Sequence, residues 1–141
     1  MTISAILQGQ SHDIVVASRA QTVRDVIDLL AAKRIGAVPV VDGGRVVGIF
    51  SERDLVRLLA SYGPDALDRT IDDVMTKSPV VTESRTAVMG ALSLMTQRRI
   101  RHLPVVDDGV LTGFISIGDL VKYRIDRIEA EAAAMRDYIA G

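Results

Sequence analysis

The sequence contains no cysteine and no tryptophan, and only two of its 141 residues are histidine. Without cysteine the chain can form no disulfide, no thiolate metal site and no thiol nucleophile. The two histidines, His12 and His102, leave little material for a histidine-based zinc or iron centre. Aromatic residues make up 4% of the chain, so its core must be built from aliphatic side chains.

The sequence also lacks an excess of charge and any long apolar run. It has 17 Lys and Arg residues against 18 Asp and Glu residues, a net charge of −1 at pH 7. Non-specific nucleic-acid binding depends on a strong cationic excess, so a nucleic-acid partner is not expected. No apolar stretch approaches the roughly 20 residues of a membrane span, and the start from Met1 to Leu7 lacks the layout of a secretory signal. These absences predict a cytoplasmic protein without a membrane partner.

What the sequence does contain is a copy of itself. A shift of 65 residues aligns the two halves without a gap and places Gly48 on Gly113. The same shift places Pro39-Val40-Val41-Asp42 on Pro104-Val105-Val106-Asp107. Two copies are too few for a solenoid, which needs about three stacked units. We therefore expect two copies that face each other across a pseudo-two-fold axis.

Each copy is predicted to have the element order β-α-β-β-α. In the first copy the strands are Ile14 to Ala17, Ala37 to Val41 and Arg45 to Phe50, and the helices are Val23 to Arg34, ended by Gly36, and one from Ser51. In the second copy the strands are Val80 to Thr82, His102 to Val106 and Val110 to Ile115, and the helices are Ala87 to Arg99 and one from Ser116. The predicted fold class is α/β (α+β), with two units packed sheet to sheet because each is too small to be stable alone.

The predicted domain bounds are 1–64 for the first repeat with an N-terminal helix, 65–125 for the second repeat, and 126–141 for a C-terminal helical extension. The last helix is predicted from Ile117 to Ala140, a length of about 36 Å at 1.5 Å per residue. Its apolar positions form a heptad seam made of Val121, Ile125, Ile128, Ala132, Met135 and Ile139. Such a seam either folds back over its own repeat or packs against another subunit, and we favour the second alternative.

One motif, Gly-x-x-Ser-x-x-Asp, occurs in both copies, at Gly48 to Asp54 and at Gly113 to Asp119. Each occurrence is predicted to lead a strand into a helix N-terminus, whose free N–H groups and partial positive charge suit a phosphate. A carboxylate in the first helical turn can accept hydrogen bonds from both hydroxyls of a ribose. The glycines are expected to leave room for a ligand near the backbone. The alternative interpretation is a capping box that only stabilises the helix.

Together these runs resemble a tandem pair of cystathionine-β-synthase (CBS) domains, also called a Bateman module. The resemblance extends from about Ile3 to Arg124, and it rests on the two motifs and on two further runs, Asp73 to Thr82 and Arg101 to Asp107. It implies two clefts between the sheets that bind AMP, ADP, ATP or NAD(H), with Mg²⁺ entering only with ATP. It also implies regulation rather than catalysis, and parallel or antiparallel homodimers shaped as a flat disc.

The resemblance also assigns residues to the clefts. Asp54 and Asp119 are expected to bind ribose hydroxyls, and Ser51 and Ser116 the ribose or first phosphate. The residues before each strand proline are expected to line the adenine and phosphate side. These are Gly36, Ala37 and Val38 in a first cleft, and Arg101, His102 and Leu103 in a second. The loop of Thr76, Lys77, Ser78 and Pro79 is expected to close over the base in the second cleft, and Gln10 to Ile14 is its counterpart in the first.

The two predicted clefts differ in charge. The second holds Arg101 and His102, whereas the first has small residues there but gains Arg53 where the second copy has Gly118. Arg53 is expected to reach a phosphate in its own cleft or across a dimer interface. We therefore expect two unequal sites, with the second binding multiply phosphorylated ligands more tightly.

The preferred function is a free-standing regulatory module that senses energy or redox state through adenine nucleotides. An enzyme is the second hypothesis, but the inosine-monophosphate dehydrogenases that carry CBS pairs need a cysteine nucleophile and a barrel, which this chain lacks. The third hypothesis is a structural dimerisation module whose clefts no longer bind ligand.

Overall fold

A computed structural model describes residues 1–10 and 13–141 of the chain. The helices are α1 (Ile3–Gln8), α2 (Val23–Lys33), α3 (Glu52–Tyr62), α4 (Ile71–Val74), α5 (Val88–Arg98) and α6 (Ile117–Ala140), and a 3-10 helix covers Gly63–Asp68. The strands are β1 (Ala37–Asp42), β2 (Arg45–Ser51), β3 (Thr76–Lys77), β4 (His102–Asp107) and β5 (Val110–Ser116). The predicted fold class and the long last helix are confirmed.

The two hairpins repeat each other in detail. β1 pairs antiparallel with β2, and β4 pairs in the same way with β5. Val40 lies opposite Gly48 and Val105 lies opposite Gly113, and in both hairpins the register shifts immediately after that pair. Each hairpin turn uses two residues with positive φ, as tight turns between twisted strands require.

The first predicted strand of each copy is reduced to a single bridge. Ala17 donates its N–H to the carbonyl of Pro39 at 3.0 Å and accepts from the N–H of Val41 at 2.9 Å. Thr82 bonds in the same way to the strand of Pro104 in the second repeat. The carbonyls of Pro39 and Pro104 face the bridging residue and not the hairpin partner. The N–H that each proline lacks would face the same side, so its absence removes no hydrogen bond between the two strands of the hairpin. β1 is therefore an edge strand of its sheet, as Pro39 indicates.

The helix ends differ from the prediction. α2 begins at a capping box of Thr22 and Asp25, as expected, but it ends at Arg34 rather than at Gly36. Arg34 has a left-handed φ of 55°, and its N–H donates to the carbonyls of Leu30 and Ala31 in the last turn of the helix. Arg99 ends α5 with the same φ of 55°. A non-glycine residue therefore fills the position that glycine usually takes at a helix end.

The segment that precedes each repeat packs into the other repeat. Ile3 and Ile6 of α1 join the hydrophobic cluster of the second repeat, which contains Leu103. Ile71 and Met75, around α4, join the cluster of the first repeat. The backbone follows the same exchange, because the N–H of Ile3 donates to the Thr86 carbonyl at 2.9 Å. The predicted domain bounds remain predictions, and this exchange of segments was not foreseen.

α6 extends beyond the body of the second repeat. Leu120 is its one fully buried side chain. Five apolar seam residues are between 43% and 77% exposed, namely Val121, Ile125, Ile128, Met135 and Ile139. The alternative in which the seam folds back over its own repeat is therefore wrong. Within residues 1–10 and 13–141, no helix combines the length and the apolar character that crossing a membrane requires.

Candidate functional site

Two clefts lie between the repeats, and each is lined by the Ser and the Asp of one Gly-x-x-Ser-x-x-Asp motif. The Asp119 cleft has a volume of about 1050 Å³ and is lined by Leu7, Gln10, residues 13–16 and 33–37, His102, residues 112–114, Ser116 and Asp119. The Asp54 cleft has a volume of about 660 Å³ and is lined by Ile49, Ser51, Arg53, Asp54, Arg57, Thr76, residues 78–80 and residues 98–102. Both volumes are of the size that small-molecule ligands occupy.

Each cleft combines the motif of one repeat with residues that precede the proline strand of the other repeat. Arg101 lies in the cleft of Asp54, and Gly36 and Ala37 lie in the cleft of Asp119. The predicted grouping within each copy is therefore wrong. The carbonyl of Gly36 accepts a hydrogen bond from the N–H of Glu52 at 3.0 Å, so one side of the Gly36 backbone lies against the beginning of α3. The opposite side of Gly36 therefore faces the second repeat. His102 lines both clefts.

The loop of Thr76, Ser78 and Pro79 lies in the cleft of Asp54 and not in that of Asp119, which corrects the predicted location. Lys77 is exposed and is not among the lining residues. Val38 and Leu103 do not reach the clefts because both are fully buried in the cores of their repeats.

The counterpart loop is also in the other cleft. Gln10, Asp13 and Ile14 line the Asp119 cleft, although the sequence placed them in the cleft of Asp54. Ser11 and His12 lie outside the described residues. Sequence reasoning missed the basic residues at the ends of α2 and α5, namely Lys33, Arg34, Arg98 and Arg99. The recurrence of Arg34 at Arg99 was the available signal.

The motif carboxylates take part in complete capping boxes. The N–H of Ser51 donates to Oδ2 of Asp54 at 2.9 Å, and the N–H of Asp54 donates to Oγ of Ser51 at 3.3 Å. Ser116 and Asp119 form the same pair of bonds, at 2.8 Å and 3.1 Å. In both boxes the hydrogen bonds within the described residues use Oδ2, so Oδ1 is available to a ligand hydroxyl. Capping and ribose binding are therefore compatible roles of the same carboxylate.

The motif glycines have a role that the sequence did not predict. A Cβ atom on Gly48 would lie 2.5 Å from Sδ of Met75 and 2.9 Å from the Thr76 carbonyl oxygen. A Cβ atom on Gly113 would lie 2.6 Å from Cδ2 of Leu7. Both glycines therefore make room for a side chain of the segment before a repeat. Gly113 also lines the Asp119 cleft, as expected, whereas Gly48 is not among the residues that line the Asp54 cleft, so the expectation fails at Gly48.

The two clefts differ in charge, but in the opposite sense to the prediction. The Asp54 cleft is lined by five arginines, which are Arg53, Arg57, Arg98, Arg99 and Arg101. The Asp119 cleft has Lys33 and Arg34 as its cations, together with the acids Asp13 and Asp119. The prediction fails because Arg101 lines the cleft of Asp54 and not that of Asp119, so the Asp54 cleft is the more cationic of the two.

His102 lies between the two clefts in a partly buried position. Its ring stacks on Phe114 with a centroid separation of 5.6 Å and an interplanar angle of 12°. Burial lowers the pKa of His102 below its ordinary value of 6.5, against the opposing influence of the Asp119 and Glu52 carboxylates, while Arg101 adds to the lowering. Burial therefore favours the neutral ring, which offers one donor and one acceptor.

Comparisons with known proteins agree with this architecture. The CBS domain family pattern matches the chain twice, at residues 4–61 and 71–126. The crystal structure of the CBS-domain containing protein ATU1752 from Agrobacterium tumefaciens is 37% identical and superposes with a TM-score of 0.84, covering 88% of this chain and 99% of that chain. The crystal structure of CBSX2 in complex with AMP is 27% identical with a TM-score of 0.78, covering 89% and 97% of the two chains.

A curated relative is longer than this chain. The CBS domain-containing protein CBSX3, mitochondrial, of Arabidopsis thaliana is 33% identical over 125 residues, which are 85% of this chain and 61% of the relative. The chain thus spans about three fifths of that relative's length. Because the family pattern covers both repeats and most of the sequence, the chain belongs to the CBS-domain family.

Proposed function

We propose that this CBS pair is a regulatory module that binds adenosine-containing ligands, AMP, ADP, ATP or NAD(H), in its two clefts and has no catalytic activity of its own. The observation that carries the proposal is the composite cleft, in which a motif carboxylate at a helix N-terminus faces cationic residues of the other repeat. A nucleoside phosphate carries the matching groups, since its ribose hydroxyls suit a carboxylate and its phosphate suits cations and helix N–H groups.

Each part of such a ligand has a partner in the Asp54 cleft. Oδ1 of Asp54 is available to the ribose, and Arg53 and Arg101 to the phosphates. Ile49, Pro79 and Val80 supply an apolar wall for the base. The complex of CBSX2 with AMP supports the adenosine class at 27% identity. Energy or redox sensing, an entry of Mg²⁺ only with ATP, and a cytoplasmic location stay predictions.

The ribose contact can be tested with Asp54→Asn and Asp119→Asn, which keep a capping oxygen but remove the charge. A hydrogen bond to a charged group contributes about 1.5–3 kcal/mol and a neutral one about 1 kcal/mol, so each variant should weaken binding in its cleft by roughly tenfold. Isothermal titration with AMP, ADP, ATP and NAD⁺ measures the change. Asp28→Asn, on an exposed position of α2 outside both clefts, is the matched control and should bind as the wild type does.

A wild-type protein that binds none of the four compounds would overturn the proposal. That result would favour a structural dimerisation module with non-functional clefts, for which the exposed apolar surface of α3 and α6 is the supporting observation. A measurable turnover of a bound nucleotide would contradict the non-catalytic assignment.

We also propose that the chain forms a homodimer through α3 and α6. Val56 of α3 and Val121 of α6 are equivalent in the repeat and are 66% and 43% exposed. Leu59 and Ile125 extend the same two surfaces. Contiguous apolar patches on a soluble protein mark interaction sites, and the family's disc-shaped dimers imply that a second copy covers this one.

The dimer predicts a specific effect of charge on α6. Val121→Lys combined with Ile125→Lys should convert the dimer to a monomer, because two cations would be buried in the interface without partners. Sedimentation velocity measures the mass of both forms. Met89→Lys, which changes an exposed methionine on α5, is the control and should remain dimeric. A wild-type protein that sediments as a monomer at high concentration contradicts this assembly.

A further inference from the structure

We propose that the Asp54 cleft takes the adenosine ligand with two or more phosphates, whereas the Asp119 cleft takes an adenosine compound with one phosphate or none. This assignment rests on the proposed function and adds that the two clefts prefer different ligands. The charges of the two linings carry it. Among the described residues, the Asp54 cleft has five guanidinium groups against one carboxylate, and the Asp119 cleft has two cations against two carboxylates.

Among the described residues, the arginines of the Asp54 cleft form no salt bridge with a carboxylate. The salt bridges within residues 1–10 and 13–141 involve other cations, namely Arg19, Arg24, Arg85 and Arg127. Arg53 and Arg57 are four residues apart on α3, a spacing at which like charges destabilise a helix. The cleft therefore concentrates positive charge that a multiply charged anion would neutralise.

The arginines come from both sides of the cleft. Arg53 and Arg57 belong to the first repeat. In the second repeat, Arg98 and Arg99 lie at the end of α5 and Arg101 lies directly before β4. Nη1 of Arg53 donates to the Arg99 carbonyl at 3.3 Å, so this side chain already spans from one repeat to the other. A guanidinium group can bind a phosphate through two parallel hydrogen bonds, and groups on both walls can contact successive phosphates of one chain.

Two positions of the repeat account for much of the contrast. Arg53 corresponds to Gly118, and Arg101 corresponds to Gly36. Arg98 and Arg99 are matched by Lys33 and Arg34 in the Asp119 cleft. Arg57 corresponds to Lys122, which is not among the residues that line that cleft. We therefore assign to Arg53 and Arg101 the selection of ligands by their number of phosphates.

The preference for ATP over AMP, and its loss in variants, can be measured in one cleft at a time. In an Asp119→Asn background, titration calorimetry at fixed salt should show ATP binding at least tenfold more tightly than AMP in the Asp54 cleft. Arg53→Gln combined with Arg101→Gln should reduce that ratio to threefold or less and leave the affinity for adenosine unchanged. Arg24→Gln, which removes the same charge on α2 outside both clefts, should keep the tenfold ratio.

The reciprocal test introduces a preference for ATP over AMP into the Asp119 cleft. In an Asp54→Asn background, Gly36→Arg combined with Gly118→Arg should raise the ATP-to-AMP affinity ratio of the Asp119 cleft by at least threefold. The backbone accepts a Cβ at both positions, since a Cβ on Gly36 meets its nearest atom at 3.6 Å and one on Gly118 at 3.5 Å, and neither residue has a positive φ. An unchanged ratio would overturn the assignment to these two positions.

The outcomes separate this inference from the proposed function. Equal affinities for AMP and ATP in the Asp54 cleft overturn the inference and leave adenosine binding intact. Failure of adenosine, AMP, ADP and ATP alike overturns the proposed function itself. Tripolyphosphate that binds as tightly as ATP would show a general anion site, and a short RNA that binds more tightly than ATP and depends on Arg53 and Arg101 would show a nucleic-acid surface. Either result overturns the inference.

Discussion

Replacing Ile3 by alanine should lower the free energy of unfolding by about 2–5 kcal/mol, the range found for large-to-small changes in well-packed cores. Ile3 is near the start of the chain in a helix of only six residues, where a change would ordinarily be harmless. Here its side chain is fully buried in the cluster of the second repeat. Urea denaturation followed by circular dichroism measures the change in the free energy of unfolding.

The backbone of this segment adds to the effect. The carbonyl of Met1 accepts from the N–H of Val88 at 3.0 Å, and this N–H belongs to the first turn of α5, which has no intrahelical partner. α1 is too short to be stable alone, so its side-chain packing holds these bonds in place. Loss of Ile3 therefore weakens both the core of the second repeat and the beginning of α5.

Two further variants make the test specific. Ile71→Ala removes the equivalent side chain from the cluster of the first repeat and should cost a similar amount, because the exchange of segments is symmetric. Met89→Ala, at an exposed position on α5, should stay within about 0.5 kcal/mol of the wild type. If Ile3→Ala were as mild as Met89→Ala, α1 would not belong to the second core.

The elements of the fold could be predicted from the sequence because local signals specify them. The Ser-x-x-Asp spacing predicted the beginnings of α3 and α6, and both capping boxes form. The glycines after Asp42 predicted the first hairpin turn, and Gly43 and Gly44 have the positive φ that it needs. Where a left-handed residue was not glycine, as at Arg34, the local signal was absent and the helix end was misplaced.

The composition of the clefts could not be predicted in the same way. A shift of 65 residues shows that Arg101 corresponds to Gly36, but it does not show which motif each of them faces. That choice depends on how the two repeats pack, which is a long-range property. The resemblance supplied about half of the residues that line the clefts. The sequence grouped them by copy, whereas the structure groups them across the copies.

The glycines show a second limit of sequence reasoning. A glycine at position 48 or 113 indicates that another group lies close to the backbone there, but the sequence does not identify that group. The neighbours are Met75 and Leu7, which are distant in the sequence from the glycines that accept them. The same exchange of segments that buries Ile3 and Ile71 thus explains both glycines.

Replacing Gly48 by alanine is therefore expected to lower the free energy of unfolding by about 1–3 kcal/mol, the usual cost of overpacking. The new Cβ would lie 2.5 Å from Sδ and 2.8 Å from Cγ of Met75, a side chain that is almost fully buried. It would also lie 2.9 Å from the carbonyl oxygen of Thr76, so a change of the methionine rotamer alone cannot relieve the overlap. Chemical denaturation again provides the measurement.

The same substitution should weaken ligand binding in the Asp54 cleft. Thr76 pairs with Ile49 across the sheet, and the loop that follows it supplies Ser78 and Pro79 to the lining of that cleft. Displacing the Thr76 backbone moves this wall while Asp54 and Arg53 keep their places on α3. Gly113→Ala should cost less, because the three atoms nearest to its new Cβ all belong to the side chain of Leu7.

A double-mutant cycle shows whether Gly48→Ala destabilises the protein because the new Cβ overlaps Met75 or because β2 does not tolerate alanine at this position. Met75→Ala combined with Gly48→Ala should cost less than the sum of the single changes, since removing the methionine removes the atoms that the new Cβ meets. Gly90→Ala, near the beginning of α5, meets its nearest atom at 3.7 Å and should instead stabilise the protein by up to about 1 kcal/mol. Strict additivity of Gly48→Ala and Met75→Ala would show that the space beside Gly48 is not the space that Met75 fills.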